Sequence, residues 1–128
     1  MILELLEQVS VRGGVIAYHG VRTSDRLPSV HITPAAFETH MRFLAASYHA
    51  ISLDEFVRRR TRGKSLRRCV AITFDDGYLD NLTTVAPMLR KHDLPATFFL
   101  TTRWLAEHGE YWWDVLERVP LAEADGHT

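Results

Sequence analysis

The chain has 128 residues, 46% of them hydrophobic and 24% charged, and its 15 Lys and Arg nearly balance 16 Asp and Glu. A disordered chain would carry fewer apolar residues and more net charge, and a large barrel enzyme takes about 250 residues, so the composition describes one globular domain over residues 1–128. The longest apolar runs, such as residues 15–18 and 69–72, are far below the ~20 residues of a membrane span, and none is expected.

Residues 1–7 lack a basic n-region and place two Glu among the apolar residues, which does not read as a secretory signal. The single Cys69 has no partner for an internal disulfide and reads as a small core residue. The expected compartment is therefore reducing and cytoplasmic.

In chain order, Val15, Ile16, Ala17 and Tyr18 form a β-prone run between Gly14 and His19, predicting a buried strand. Thr33 and Pro34 then predict an N-cap and first helical residue, and Phe37, Met41, Leu44 and Ala45 repeat as one helical face. Residues 48–53 predict a short second strand. Ser52, with Glu55 three residues on, fits a capping box that opens a short helix. Residues 58–68 hold seven of the basic residues and no aromatic to stack on bases, so they read as a solvated connector, and no nucleic-acid partner is expected.

Residues 69–74 are the strongest strand prediction, ending abruptly in Asp75, Asp76 and Gly77. Leu82, Val85, Ala86 and Leu89 mark a helix that Pro87 should kink or divide. Residues 96–101 predict another buried strand, and Trp112, Val115, Leu116 and Val119 a last amphipathic helix. Alternating strands and helices imply an α/β fold, with about four parallel strands joined by crossover helices, too few to close a barrel.

Ligands of such folds collect at the carboxyl ends of the strands, where Asp75 and Asp76 lie. Adjacent carboxylates repel, and a divalent cation neutralises them economically. Neighbours along a strand point to opposite faces, so two adjacent Asp share a site only where the backbone turns away, as Gly77 permits. One carboxylate can then ligate a metal while the other takes a proton from water. The competing reading is a strand terminus in which Asp serves the turn.

The run Val70, Ala71, Ile72, Thr73, Phe74, Asp75, Asp76, Gly77 and Tyr78 is followed by Asp80 and Asn81. Ala86, Pro87, Met88 and Leu89 come next, then Pro95, Ala96, Thr97, Phe98, Phe99 and Leu100. This pattern resembles the opening of the polysaccharide deacetylase (NodB homology) family. Val15 to His19, His31 to Phe37 and Ile51 to Phe56 are similar to the segments that precede that motif. The resemblance covers roughly residues 13 to 118.

It implies a deformed, here partial, (β/α) barrel that removes acetyl groups from an acetylated poly- or oligosaccharide with a divalent metal, zinc by expectation. Carried over by position, Asp75 is the general base and Asp76 a metal ligand. His19, at a strand end on the same rim, is a candidate for substrate contact or for support of the site. The family completes its metal site with a His-[Ser/Thr]-x-x-His pair, of which only His127 and Thr128 offer a first half. The sequence is accordingly expected to be an amino-terminal, truncated portion with little activity of its own. An uncovered strand edge after residue 100 would favour self-association. His31, His40, His49, His92 and His108 read as surface or turn residues, and Tyr111, Trp112 and Trp113 as a sugar-stacking platform, with core as the competing reading for Trp112 and Trp113. The alternative to an enzyme is a non-catalytic deacetylase-like module that binds glycan or a partner chain.

Overall fold

In the computed structural model, which describes residues 13–23, 30–102, 111, 113 and 115, the chain builds around its most apolar strand. The elements in order are β1 (Gly14–Tyr18), β2 (Gly20–Val21), β3 (His31–Ile32), α1 (Pro34–Ser47), β4 (His49–Ala50), α2 (Leu53–Thr61) and β5 (Cys69–Phe74). A π-helical turn (Asn81–Val85), α3 (Ala86–Lys91) and β6 (Ala96–Phe98) follow. All six residues of β5 are buried, as a strand covered on both faces requires. Its side chains alternate. Val70, Ile72 and Phe74 join Phe37, Met41, Leu44, Val85 and Leu89 in the larger core, and Cys69 and Ala71 meet Phe56 in the smaller.

Every strand pairing is parallel. β1 lies along one edge of β5 from Gly14↔Val70 to Tyr18↔Phe74. The other edge is divided, β4 pairing at Cys69 and Val70 and β6 at residues 72–74. These are the four predicted parallel strands with crossover helices, a partial (β/α) barrel, and β2 and β3 form a further two-stranded pair.

Local chemistry sets the helix starts. Thr33 Oγ1 accepts from Ala36 N at 3.2 Å with Pro34 opening α1, and Ser52 Oγ accepts from Glu55 N at 3.2 Å to open α2. The Glu55 side chain does not complete the predicted box; it binds Arg58 and accepts from Arg59 Nε at 2.6 Å. Those bonds, Arg59 first, push the Glu55 carboxyl down to about 2. The basic segment is thus partly neutralised within α2, and Arg68 Nε donates to Ser47 O at 2.8 Å.

Several predicted faces are corrected. β1 is one-sided, with Val15 and Ala17 exposed and Tyr18 buried. Ala45 is exposed on α1, where Phe37, Met41 and Leu44 alone are buried. Pro87 divides its helix as predicted. Without an N–H it cannot bond the preceding turn, and the stretch before it widens until Ala86 N bonds Asn81 O, five residues back. The wider turn puts Asn81, Val85 and Leu89 inward and leaves Leu82 70% exposed. β6 stops at Phe98 and is not buried; Phe98, Phe99 and Leu100 are exposed. Of the predicted last helix, Trp112, Leu116 and Val119 lie outside the described residues, and Val115 is exposed. No helix among the described residues is long and apolar enough to cross a membrane.

Two consequences are measurable. Phe37 is fully buried, edge-on to both Tyr18 at 5.3 Å and Phe74 at 5.8 Å, so Phe37→Ala should cost about 3–5 kcal/mol in urea denaturation. Glu38 accepts from Lys91 Nζ and His92 Nε2, both at 2.8 Å, joining α1 to the end of α3. Those bonds hold its carboxyl below the usual carboxylate range. Its contribution is complete above the unfolded value of about 4.3 and is lost as pH falls through the lower folded value. The gap in urea midpoint between wild type and Glu38→Gln should therefore be open at neutral pH and close in acid.

Candidate active site

Beyond Phe74 the backbone makes one more ladder bond, Asp75 N to Tyr18 O at 2.9 Å, and then reverses. Gly77 N donates back to Asp75 O at 2.9 Å, closing a three-residue turn about Asp76, whose φ is +71°. A left-handed conformation costs a non-glycine residue about 1–2 kcal/mol, and Asp is among the few that tolerate it. Gly77 follows at φ +73°, where a Cβ would lie 2.9 Å from Leu100 Cδ2. The sequence assigns the change of direction to Gly77; the reversal begins one residue earlier, at Asp76. Strained backbone of this kind concentrates at functional sites.

The β1–β5 register sets His19 beside this turn. Tyr18 is opposite Phe74, and His19 Nδ1 lies 2.9 Å from Asp76 Oδ2. A carboxylate only accepts, so Nδ1 carries the proton of this bond. The two side chains are 40% and 18% exposed, accessible to a small ligand yet partly shielded from water. Asp75, Asp76 and His19 are thus gathered at one strand end as predicted. Asp76 suits one position of a divalent ion's coordination sphere, since a carboxylate is a zinc ligand, and an imidazole bonded to that carboxylate fixes its orientation. Among the described residues no group of three His, Cys, Asp or Glu is placed to hold a metal. His127 lies outside the described residues.

Further residues complete the surroundings. Asp80 Oδ1 accepts from Val21 N at 3.1 Å. Asn81 is buried, and with its amide nitrogen turned toward oxygen partners it donates to His19 O at 3.0 Å and Asp80 Oδ1 at 3.2 Å. The start of the π turn therefore anchors the β1–β2 junction that carries His19. Gly20 permits close packing at this junction, because a Cβ there would lie 2.1 Å from His31 Nδ1 and 3.2 Å from Asp80 Oδ2. Tyr111 is buried, and its hydroxyl donates to Asp76 O at 2.6 Å. Trp113 Nε1 donates to Tyr78 Oη at 2.7 Å. These two aromatics support the turn; Trp112 lies outside the described residues. The only available signal was the aromatic cluster itself, which says nothing of its hydrogen-bond partners.

Three histidines read as surface or turn residues are built into the fold. His40 bonds the Tyr18 hydroxyl at 3.1 Å, and burial lowers its pKa while raising that of Tyr18. His92 binds Glu38, and His31 packs edge-on against Tyr78 at 4.9 Å. His49 is exposed as expected, and His108 lies outside the described residues. A cavity of about 340 Å³ opens beside the turn, with Gly77, Tyr78, Leu79, Leu82, Phe98 and Leu100 in its lining. It is apolar, and neither aspartate lines it.

Because Asp80 ties the buried Val21 amide to the helix start, Asp80→Ala should cost about 1–3 kcal/mol in chemical denaturation. Asp80→Asn, which keeps an acceptor, should cost less.

Comparison with known proteins accords with this arrangement. The polysaccharide deacetylase family model matches residues 62–128, just over half of the chain. A Bacillus subtilis protein named as a polysaccharide deacetylase is 33% identical over 88 residues, which cover 67% of this chain and 30% of that protein. The poly-beta-1,6-N-acetyl-D-glucosamine N-deacetylase of Staphylococcus epidermidis is 28% identical over 120 residues, covering 83% of this chain and 42% of its own length. The solved structure of a de-N-acetylase from Aggregatibacter actinomycetemcomitans superposes with a TM-score of 0.62 at 28% identity, over 74% of this chain and 39% of that one. The chain spans well under half the length of each of these relatives. From its parallel strands, its acidic turn and these matches, the chain belongs to the polysaccharide deacetylase family.

Proposed function

We propose that this protein hydrolyses the acetamido groups of an N-acetylated sugar polymer with the help of a divalent metal, zinc by its resemblance to the polysaccharide deacetylase family. The observation that carries the reading is the acidic pair on a strained turn at the end of β5, with His19 bonded to Asp76 at 2.9 Å. Membership of the deacetylase family supports it, and a relative named for poly-beta-1,6-N-acetyl-D-glucosamine supports the substrate class.

When bound, a divalent ion supplies Lewis acidity, polarising the acetyl carbonyl and lowering the pKa of water. Asp76 is the residue that would hold it, with His19 fixing the carboxylate's orientation. Asp75 acts as general base and takes a proton from the attacking water as its oxygen adds to the carbonyl carbon. As the C–N bond breaks, Asp75 returns that proton to the nitrogen, which leaves as the sugar amine, and the acetic acid formed ionises to acetate. His19, 40% exposed, is also the residue proposed to meet the substrate.

Among the described residues Asp76 is the one ligand assigned, where a catalytic zinc takes about three protein ligands. The 128-residue polypeptide alone is therefore expected to bind zinc weakly and to turn over little. The test is acetate release from poly-β-1,6-N-acetylglucosamine oligomers, alongside zinc titration, in a form of the protein that turns over. Asp75→Asn should lower the rate by about 10²–10⁴-fold with zinc affinity retained, and Asp76→Asn should weaken zinc binding. An Asp75→Asn protein with wild-type turnover would overturn the assignment.

A further inference from the structure

We infer that Tyr111 is a positioning residue for the acidic pair, holding the Asp76 carbonyl so that the turn keeps the conformation in which Asp76 presents its carboxylate. The inference rests on the metal-ligand reading of Asp76 given above.

The bond runs from the Tyr111 hydroxyl to Asp76 O at 2.6 Å. The carbonyl only accepts, so the phenol donates. That carbonyl belongs to the planar peptide joining Asp76 to Gly77. Anchoring its oxygen restrains the two dihedrals on either side of the plane, ψ of Asp76 and φ of Gly77. Both residues are left-handed, at +71° and +73°. Gly77 has no Cβ to limit it, so the conformation needs an outside restraint. The Gly77 N to Asp75 O bond supplies one from within the turn; Tyr111 supplies a second from 35 residues away.

Tyr111 is itself fixed. It is 9% exposed and stacks on Trp113 with ring centroids 4.7 Å apart and planes 11° from parallel. Trp113 Nε1 donates to Tyr78 Oη at 2.7 Å. Tyr111 and Trp113 therefore grip the turn on both sides of Gly77, one at Asp76 and the other at Tyr78. Only the Tyr111 bond reaches the backbone of the ligand residue. This difference separates positioning from packing, because losing either bond should loosen the aromatic cluster while only one releases Asp76.

The test uses the 128-residue chain and Zn²⁺ as probe. Binding is followed by the ¹H–¹⁵N amide signals of Asp76 and Gly77, which read affinities into the millimolar range, and melting temperatures are recorded in parallel. Tyr111→Phe, which keeps the ring, should weaken Zn²⁺ binding about tenfold, equivalent to ~1.4 kcal/mol, and should speed hydrogen exchange at the Gly77 amide. Trp113→Phe and Tyr78→Phe remove the neighbouring bond; they should lower the melting temperature comparably while leaving Zn²⁺ affinity within about twofold. Wild-type affinity in Tyr111→Phe beside a loss in Asp76→Asn overturns the role of Tyr111 alone. Equal weakening in Tyr111→Phe and Trp113→Phe also overturns it, since the effect would then be general loosening. Unchanged affinity in Asp76→Asn overturns the metal assignment and this inference with it.

Discussion

The parallel pairing of β1 with β5 is the constraint on which the site depends. Its last rung sets Tyr18 against Phe74, whose rings stack at 5.4 Å, and Asp75 N continues the ladder to Tyr18 O at 2.9 Å. A slip of one residue would turn every side chain of β1 to the opposite face. It would separate His19 from Asp76, which are 57 positions apart in sequence and 2.9 Å apart in space. The register is secured by burial, because Tyr18, Phe37 and Phe74 form one aromatic cluster in the core. The pair that locks the core is also the pair from which both polar segments emerge.

Where the ladder ends, the chain adopts a conformation that costs energy. Two successive left-handed residues, one of them not glycine, are retained by hydrogen bonds from several directions. These are the Gly77 amide within the turn, Tyr111 on the Asp76 carbonyl and His19 on the Asp76 carboxylate. Asp80 and Asn81, at the start of the π turn, then secure the β1–β2 junction from which His19 projects. The strain and its restraints belong together, since an over-determined turn can hold two neighbouring carboxylates at one rim, which an extended strand cannot.

Much of this was legible in the residues. β5 was recognisable because a continuous β-branched and aromatic run is what a strand buried on both faces requires, and Thr33, Pro34 and Ser52 marked helix starts through local bonds to their own backbone. Asp75 and Asp76 stood out because adjacent carboxylates at a strand end repel and call for a cation, and His19 because it ends a strand on the same rim. Tyr111 and Asp80 were not legible, because a phenol or a carboxylate acquires its role from a partner brought near by folding. His40 was misread for the same reason, since it bonds Tyr18 on another segment, and His92, a turn residue as read, has a bond to Glu38 that was equally illegible. The face of the helix after the acidic turn was half legible. Pro87 announced a break, but the widening that turned Asn81 inward and Leu82 outward was a tertiary outcome.

The sequence by itself determined the order of the four main strands and the helices between them, the buried β5 and the acidic pair at its end, because burial patterns, capping and turn chemistry act over a few residues, whereas β2 and β3 were not foreseen. Tertiary structure alone decided that β4 and β6 divide one edge of β5, that the reversal begins at Asp76, and that Tyr111 closes on its carbonyl. Those outcomes depend on bonds across tens of residues, whose energies exist only once the core has brought the partners within reach.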